Sequence, residues 1–572
     1  MKGKIRFLGA LSLLMVTSVG LFSPAFETKS KAVPAPKHSE QDFKGASLTI
    51  YNSSDYIDDS LIDEFEERYN CRVNYYTFDT NETMYNQFTL QPEGTYDLIC
   101  TSDYMIQRMV REGLLQSFDI AEDCPVYDQY ASQEVRGKLK GMLADTDGDG
   151  VKDTSLDAYA AGYMWGTLGI IYDPFCSDTI REDVRSWNVF WDEQYKNLIS
   201  IKNSMRDTFV VGLMHAYSGS PYSDVDDLAV QAREVFLKEM ESAVSEEEKD
   251  AAREKYNGVI QSIFDLVITE EDYKPVLETV KKELISLKKN IFGLEVDSGK
   301  NDIITGKIKM NLAWSGDAVY SIDVAMEQQG KVLEYYVPEE GGNVWYDAWG
   351  LPKGANKELA CRFIDFLSEP ENAARNMDYI GYTSFITCGE VLDLVTSWYG
   401  VGEYYEGTQY TAPYVDEDGE EVEGSVVAYE GEFYACIQDS LGNLPTDGAY
   451  FEKIEEDLEL DEAYDLSYLF SGNIDETRNA IVYPYAESAN QLQTQYPDKD
   501  TLARCAVMND FESANDDVVI MWGQIKAYTN MTPYYVILII CVSGVLVATV
   551  YTLIRKRRSI RNKRRLSSIS SK

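Results

Sequence analysis

The stretch YDLICTSDYMIQRMVREGLLQ, residues 96–116, changes periodicity within a few residues. Tyr96 to Thr101 is short and apolar, as a strand inside a sheet is; around Tyr104 to Glu112 the spacing becomes helical. The same alternation precedes it. Ala46 to Asn52 reads as a strand, and Asp58 to Asn70 as an amphipathic helix with Leu61, Ile62, Phe65 and Tyr69 on one face. Arg72 to Thr77 is strand-like, and Asn81 caps a helix running through Phe88. Strands alternating with helices predict a mostly parallel sheet covered on both faces. In such sheets ligands bind beyond the carboxyl ends of the strands.

The 572 residues carry 52 Lys and Arg against 96 Asp and Glu. Three of the basic residues lie in 1–26 and nine in 533–572, where there are no acids, so the body between is more acidic still. Such a body repels nucleic acid and anionic headgroups and attracts cations; for the surface as a whole, solubility is reason enough. Lys2, Lys4 and Arg6, the apolar run Phe7 to Phe22 and Ser23-Pro24-Ala25 form the pattern of a secretory signal over 1–25. Residues 26–44 read as a disordered linker. Tyr534 to Ile554 is apolar and uncharged, long enough to cross a hydrocarbon core of ~30 Å as a helix. Eight Lys and Arg follow between Arg555 and Arg565, which places the tail 555–572 in the cytoplasm and the body outside. The expected location is the cell membrane, single-pass, with an extracellular or periplasmic body.

Two segments break the rhythm. Residues 224–292 are rich in Glu, Lys and Ala with helical spacing, a charged helical insertion; residues 396–465 are rich in Tyr, Gly and acids, a small β insertion. The nine Cys include no CxxC pair, so zinc ribbons and thioredoxin-like sites lack support. Cys100 and Cys361 fall in apolar stretches where buried thiols are the rule. Disulfide pairing among the other six outside the span is left open. The only His are His38 and His215, and HExxH, GxSxG and P-loop motifs are absent, which argues against an enzyme.

Asp145 to Asp153, DTDGDGVKD, follows calcium-loop spacing: Asp145, Asp147, Asp149 and Asp153 at positions 1, 3, 5 and 9, Gly150 at 6 and the Val151 carbonyl at 7. Leu156 stands where the bidentate Glu belongs, with Asp157 next. The expectation is a structural calcium ion, against a plain solvated Asp/Gly turn.

An ordered series of motifs carries a resemblance. IYNSSDYI (50–57), TNETMY (80–85), residues 96–116, YMWGTLGI (163–170), RSWNVFWDEQYK (185–196), LAWSGDA (312–318), EEGGNVWYDAWGLP (339–352) and YIGYTS (379–384) occur in sequence. Together they resemble the spermidine/putrescine-binding proteins of bacterial polyamine ABC importers, from about Ser47 to Lys526 without the two insertions. The resemblance implies a two-lobed, periplasmic-binding-protein-like α/β fold (type II), with the two insertions and one C-terminal transmembrane helix added. It implies a first lobe at 45–165 and 346–395 and a second at 166–345, with 466–530 closing it. The crossings would fall near Trp165, near Asp347 and after Tyr382. The β insertion, through residues 424–451, is similar to small carbohydrate-binding modules of chitinases, with Tyr450-Phe451 where a Trp is usual; sugar stacking and a purely structural role both stay open.

The resemblance also implies a ligand site and partners. Asp55 and Tyr56 follow the first strand, Ser102 and Tyr104 a later one; Asp207 comes from the second lobe, Trp314, Trp345 and Tyr382 are aromatic walls, and Asp347 grips an ammonium. Physically this suits a polyamine: carboxylates for the ammoniums, ring faces for cation–π contact and for the methylenes. Ser53, Ser204 and Met508 stand where the family has a Trp, an acid and a Gln. One fewer carboxylate suits a diamine better than a triamine. The implied function is polyamine capture and delivery to ABC permease subunits, with no cofactor, no catalytic residues and no nucleic acid. A glycan-targeted hydrolase and a membrane-tethered sensor are the other classes; the short tail favours a tether over a sensor.

Overall fold

The computed structural model describes residues 43–296, 298–415, 421–455, 458–528, 541–543, 545–553 and 555–556. The signal at 1–25, the linker up to residue 42 and the tail from 557 lie outside them, as do residues 534–540, 544 and 554 of the apolar run. Phe43 is described: its backbone N–H donates to Tyr69 and its ring lies 6.3 Å from that of Tyr69, so the last residues assigned to the linker belong to the folded body.

One eleven-stranded sheet organises the chain. Its strands are β1 (Ser47–Ser53), β2 (Arg72–Phe78), β3 (Leu98–Ser102), β4 (Ala160–Tyr172), β5 (Ile199–Lys202), β6 (Gly293–Glu295), β7 (Met310–Trp314), β8 (Glu334–Tyr336), β9 (Gly342–Gly350), β10 (Thr383–Ser384) and β11 (Cys505–Ala506). The main order is β2-β1-β3-β9-β4-β7-β5-β6, with β8 and β10 paired to β4, and β11 to β9. The pairs β1–β2, β1–β3, β5–β6 and β5–β7 are parallel; β9 and β4 run antiparallel to their neighbours in the main order. The sheet thus has two parallel halves, each of which has its own helices, joined through β4 and β9.

β4 is the spine. All thirteen of its residues are buried. Residues 160–167 pair with β9, and Leu168–Tyr172 with β7. A strand buried along both faces reads as a continuous apolar run, which AAGYMWGTLGIIY is. Its glycines are places where neighbours come in: a Cβ on Gly162 would meet the Phe385 ring at 2.1 Å, and one on Gly166 the Ser315 hydroxyl at 2.4 Å.

Helices follow the strands where the spacing predicts. α1 (Asp59–Tyr69) is capped by the Asp58 carboxylate, buries Leu61, Phe65 and Tyr69, and ends on Asn70 at φ 51°. α2 (Asn81–Phe88) is capped by Thr80, not Asn81, whose side chain instead serves the cleft. α3 (Asp103–Arg111) starts directly after β3, and α4 (Met205–Ala216) is capped by Ser204. α5 (Leu228–Ser242), α6 (Glu246–Phe264) and α7 (Lys274–Leu287) form the helical insertion. They are more than solvated helices. A Cβ on Gly212 of α4 would meet Leu284 of α7 at 2.8 Å, and Asn257 and Gln261 of α6 donate to backbone carbonyls at Cys505 and Val507. α8 (Ser315–Gln329) leaves β7, and α9 (Lys357–Leu367) sets Phe363 against Phe65 and Trp349 of the first half.

The β insertion is longer than 396–465. Its six-stranded sheet begins at Gly400, after a helix over Gly389–Tyr399, and includes Ile481–Pro484. Tyr410, Val427, Cys436 and Phe451 form its core. Of Tyr450-Phe451, which stand where the carbohydrate-module Trp is usual, Phe451 is buried in this core and Tyr450 packs partly buried against it. The segment 466–530 also differs from expectation. Leu469 and Asn473 bond to Ser132 and Tyr130 in the first half, while Asn490 and Gln491 bond to Tyr335 and Asp323 in the second. The segment serves both halves, not one.

Residues from 519 on group apart from the body. Residues 541–543 and 545–553 are helical, with Val542, Val545, Leu546, Val547, Val550 and Leu553 exposed. Among the described residues no helix is long and apolar enough to cross a membrane.

Candidate ligand-binding site

Asp347 lies in β9 at the point where its register with β4 shifts, between Asp347 and Ala348. Across the other edge it pairs with Ser102, the last residue of β3. The pairing puts the Ser102 hydroxyl 2.7 Å from Asp347 Oδ1; the Tyr56 hydroxyl donates to Oδ2 at 2.9 Å. Asn81 donates to Ser102 Oγ at 2.9 Å and fixes it from behind. Tyr56 is itself held edge-on between Tyr163 and Tyr382, each with its ring centroid 5.4 Å away. Trp345 stands 5.8 Å from Tyr382. The result is a half-buried carboxylate beside a group of aromatic rings, with two hydroxyl donors and, among the described residues, no Lys or Arg in ion-pair contact.

Burial pushes the Asp347 carboxyl up, the Ser102 and Tyr56 hydrogen bonds offset part of that, and the Asp207 charge adds to it, leaving it at about 6. Asp103, one residue past Ser102, is pushed up to about 7 by burial, although it accepts the Tyr104 and Tyr346 N–H groups.

Asp207 comes from the first turn of α4. Burial raises it, and bonds from Ser204 and the Trp314 indole, with the Lys202 charge, work against the rise. Tyr104 faces it from α3: its hydroxyl lies 3.2 Å from Glu82 Oε1, and the Arg206 guanidinium lies 3.6 Å above its ring. Arg206 also donates to the Asn509 carbonyl at 2.9 Å.

Tyr382 turns its hydroxyl to Asp317 Oδ1 at 2.9 Å. Asp317 Oδ2 takes the Lys202 ammonium at 3.0 Å, and Lys202 also lies 3.5 Å from Glu295 and 4.2 Å from the Trp314 ring centroid. Burial pushes Asp317 up, yet Lys202, Lys300 and the Tyr382 hydroxyl together hold it below the usual carboxylate range. Lys202, almost fully buried, is raised because those acids outweigh its desolvation.

Eight of the nine expected ligand residues therefore come together: Tyr56, Ser102, Tyr104, Asp207, Trp314, Trp345, Asp347 and Tyr382. Asp55 does not join them. It is exposed, on a turn at φ 52°, and no hydrogen bond or ion pair links it to the others. Sequence reasoning missed Glu82, Lys202 and Asp317. The signals were there for two: Lys202 is a charge closing the apolar strand ISIK, and Asp317 follows the β7 carboxyl end within the next helical turn.

At the Asp145 loop, Asp145, Asp147 and Asp149 bring ligand oxygens within 4.8 Å of one another. The Asp145 carboxylate also accepts the Gly148 and Gly150 N–H groups, and these bonds hold it below its ordinary range. Leu156 is fully buried, and Asp157 is engaged by Arg136 at 2.9 and 3.2 Å. Neither closes the loop as a bidentate acid would.

The family model for "Bacterial extracellular solute-binding protein" matches residues 60–388. The chain belongs to that family. Among its curated relatives, the spermidine/putrescine-binding periplasmic protein of Salmonella typhimurium is 25% identical over 338 residues, 59% of this chain and 76% of the relative. The putrescine-binding periplasmic protein PotF of Escherichia coli is 23% identical over 342 residues, 59% and 77% of the two chains. Among solved structures, the spermidine/putrescine ABC transporter substrate-binding protein PotD of Streptococcus pneumoniae, in complex with calcium and HEPES, is 26% identical. It matches 61% of this chain and 85% of its own, with a TM-score of 0.42.

The raised carboxyls set a pH dependence. Asp347 at about 6 and Asp103 at about 7 bind protons in the folded state that the unfolded chain, near 3.8, has released. Their contribution to stability therefore falls as pH rises from about 4 to about 7. Asp317, held low, acts oppositely only below about pH 4. The ligand-free protein should melt higher at pH 5 than at pH 7.5 in thermal scans, and Asp347→Asn should flatten the lower part of that slope. A melting temperature that climbs from pH 5 to 7.5 contradicts this assignment.

Proposed function

We propose that this protein captures a polyamine, putrescine or spermidine, outside the cell and delivers it to the permease of an ABC transporter. The observation that carries the reading is Asp347: a half-buried carboxylate with two hydroxyl donors, Tyr56 against it, Tyr382 and Trp345 beyond that ring, and no chain cation in contact among the described residues. Leaving a buried charge unpaired costs several kcal/mol, on the order of 3–5 when one partner of a pair is removed. An alkylammonium supplies the missing partner, and its methylenes lie against Tyr56, Trp345 and Tyr382. The names of the curated relatives support the same ligand class. Closure of the two halves over the ligand is expected to occur by hinge motion about β4 and β9.

Asp347→Asn keeps shape and removes the charge. Calorimetric titration with putrescine should show at least a hundredfold loss, from roughly 3–5 kcal/mol. Trp345→Ala should cost less, since it removes a ring and no charge. Wild-type affinity in Asp347→Asn would place the ammonium elsewhere.

The acids of the 145–153 loop support a structural calcium ion held by Asp145, Asp147, Asp149, Asp153 and the Val151 carbonyl. Without a bidentate acid the ion is bound weakly and stays outside the ligand chemistry. Calcium added to metal-stripped protein should raise its melting temperature, and Asp147→Ala should abolish the rise; no shift in wild type means a plain turn.

The apolar run 534–554 and the basic residues after it support a C-terminal membrane tether, and the outward apolar side chains of 542–553 suit contact with lipid. The body would then be outside, anchored beside its permease.

A further inference from the structure

Lys202 is the most fully buried lysine charge in the cleft half formed by β5, β6 and β7, at 1 % exposure. It ends β5, at the same carboxyl edge where Trp314 ends β7. Its ammonium donates to Asp317 Oδ2 at 3.0 Å and to the Val296 carbonyl at 3.1 Å, lies 3.5 Å from Glu295 Oε1, and sits 4.2 Å from the Trp314 ring centroid. Two carboxylates, a carbonyl and an indole face are the environment that an alkylammonium ligand needs. Here the chain supplies the ammonium itself. Through Asp317 and Tyr382 this group is wired to the same aromatic wall that borders Asp347.

The charge balance follows. Lys202 and Lys300 answer the charges of Asp317 and Glu295. Asp347, Asp207 and Glu82 have no ion-pair partner among the described residues, and Arg206 already covers the Tyr104 ring. Asp207 lies close enough to raise the proton affinity of Asp347, and Glu82 that of Asp207, so a short dication placed among these acids relieves them. A third ammonium, extended past Trp314, would meet Lys202 instead of a carboxylate.

We propose that Lys202 acts as a built-in third ammonium, which closes the far end of the cleft and makes it select a diamine over a triamine. The proposal rests on the polyamine reading of the site. It assigns selectivity to a positive side chain rather than to the absence of an acid at Ser204 alone.

The test is calorimetric titration of the full chain with putrescine and with spermidine. Wild type should bind putrescine at least tenfold more tightly. Lys202→Met retains length and removes charge; it should reverse or abolish that preference by freeing Asp317 and Glu295 for the third ammonium. Lys202→Met/Asp317→Asn restores the local charge balance, which protects the fold, and should lose most of the gain for spermidine. Wild type binding spermidine more tightly overturns the proposal whatever the variants do. So does an unchanged ligand ratio in Lys202→Met, while leaving the polyamine function standing. Binding of neither ligand by wild type overturns the function itself and this proposal with it.

Discussion

A carboxylate is costly to take out of water, and Asp347 is half-buried with hydroxyls for company and, among the described residues, no cation in ion-pair contact. Much of the surrounding structure exists to hold it there. The register shift in β9 sets it at the junction of the two halves. The antiparallel pairing with β3 delivers Ser102 to one oxygen, and the loop after β1 delivers Tyr56 to the other. A fold that pays for desolvating this group without neutralising it keeps electrostatic energy available for a ligand. Hydrogen bonds from neutral hydroxyls orient the carboxylate and leave its charge intact.

The far side of the cleft solves the same problem in the opposite way. Asp317 and Glu295 are buried more fully, and Lys202 sits between them. One cluster is complete within the chain and, among the described residues, the other is not, and the proposed ligand site rests on that asymmetry. The acidic surface around both works at longer range. A body with such an excess of carboxylates raises the local concentration of small cations and favours their approach, an effect that added salt screens.

Much of this was legible in the sequence. Alternating periodicities up to Glu112 marked the parallel first half, and the uninterrupted apolar run of β4 fits its burial on both faces. The position of Asp347 among tryptophans was visible as a charge in an apolar strand. The family motifs placed most of the other walls. What escaped were partnerships between distant segments. Lys202 and Asp317 are 115 residues apart, and neither signals the other before the strands align. Asp55 looked equivalent to its neighbour Tyr56, but the turn at φ 52° separates their directions. Residues 466–473 turned to the first half because Ser132 and Tyr130 offered partners there, a choice no local pattern records. The end of the β insertion was hidden because its last strand returns after a helical turn at Ser467–Phe470.

The most direct measurement is a calorimetric panel on the purified full-length chain: a diamine, a triamine, a betaine and an amino acid, each at pH 7.5 and pH 5. The account predicts heat only from the polyamines, with binding weaker at pH 5, where Asp347 has taken up its proton and no longer attracts an ammonium. A chain that binds the betaine or the amino acid and ignores both polyamines contradicts it.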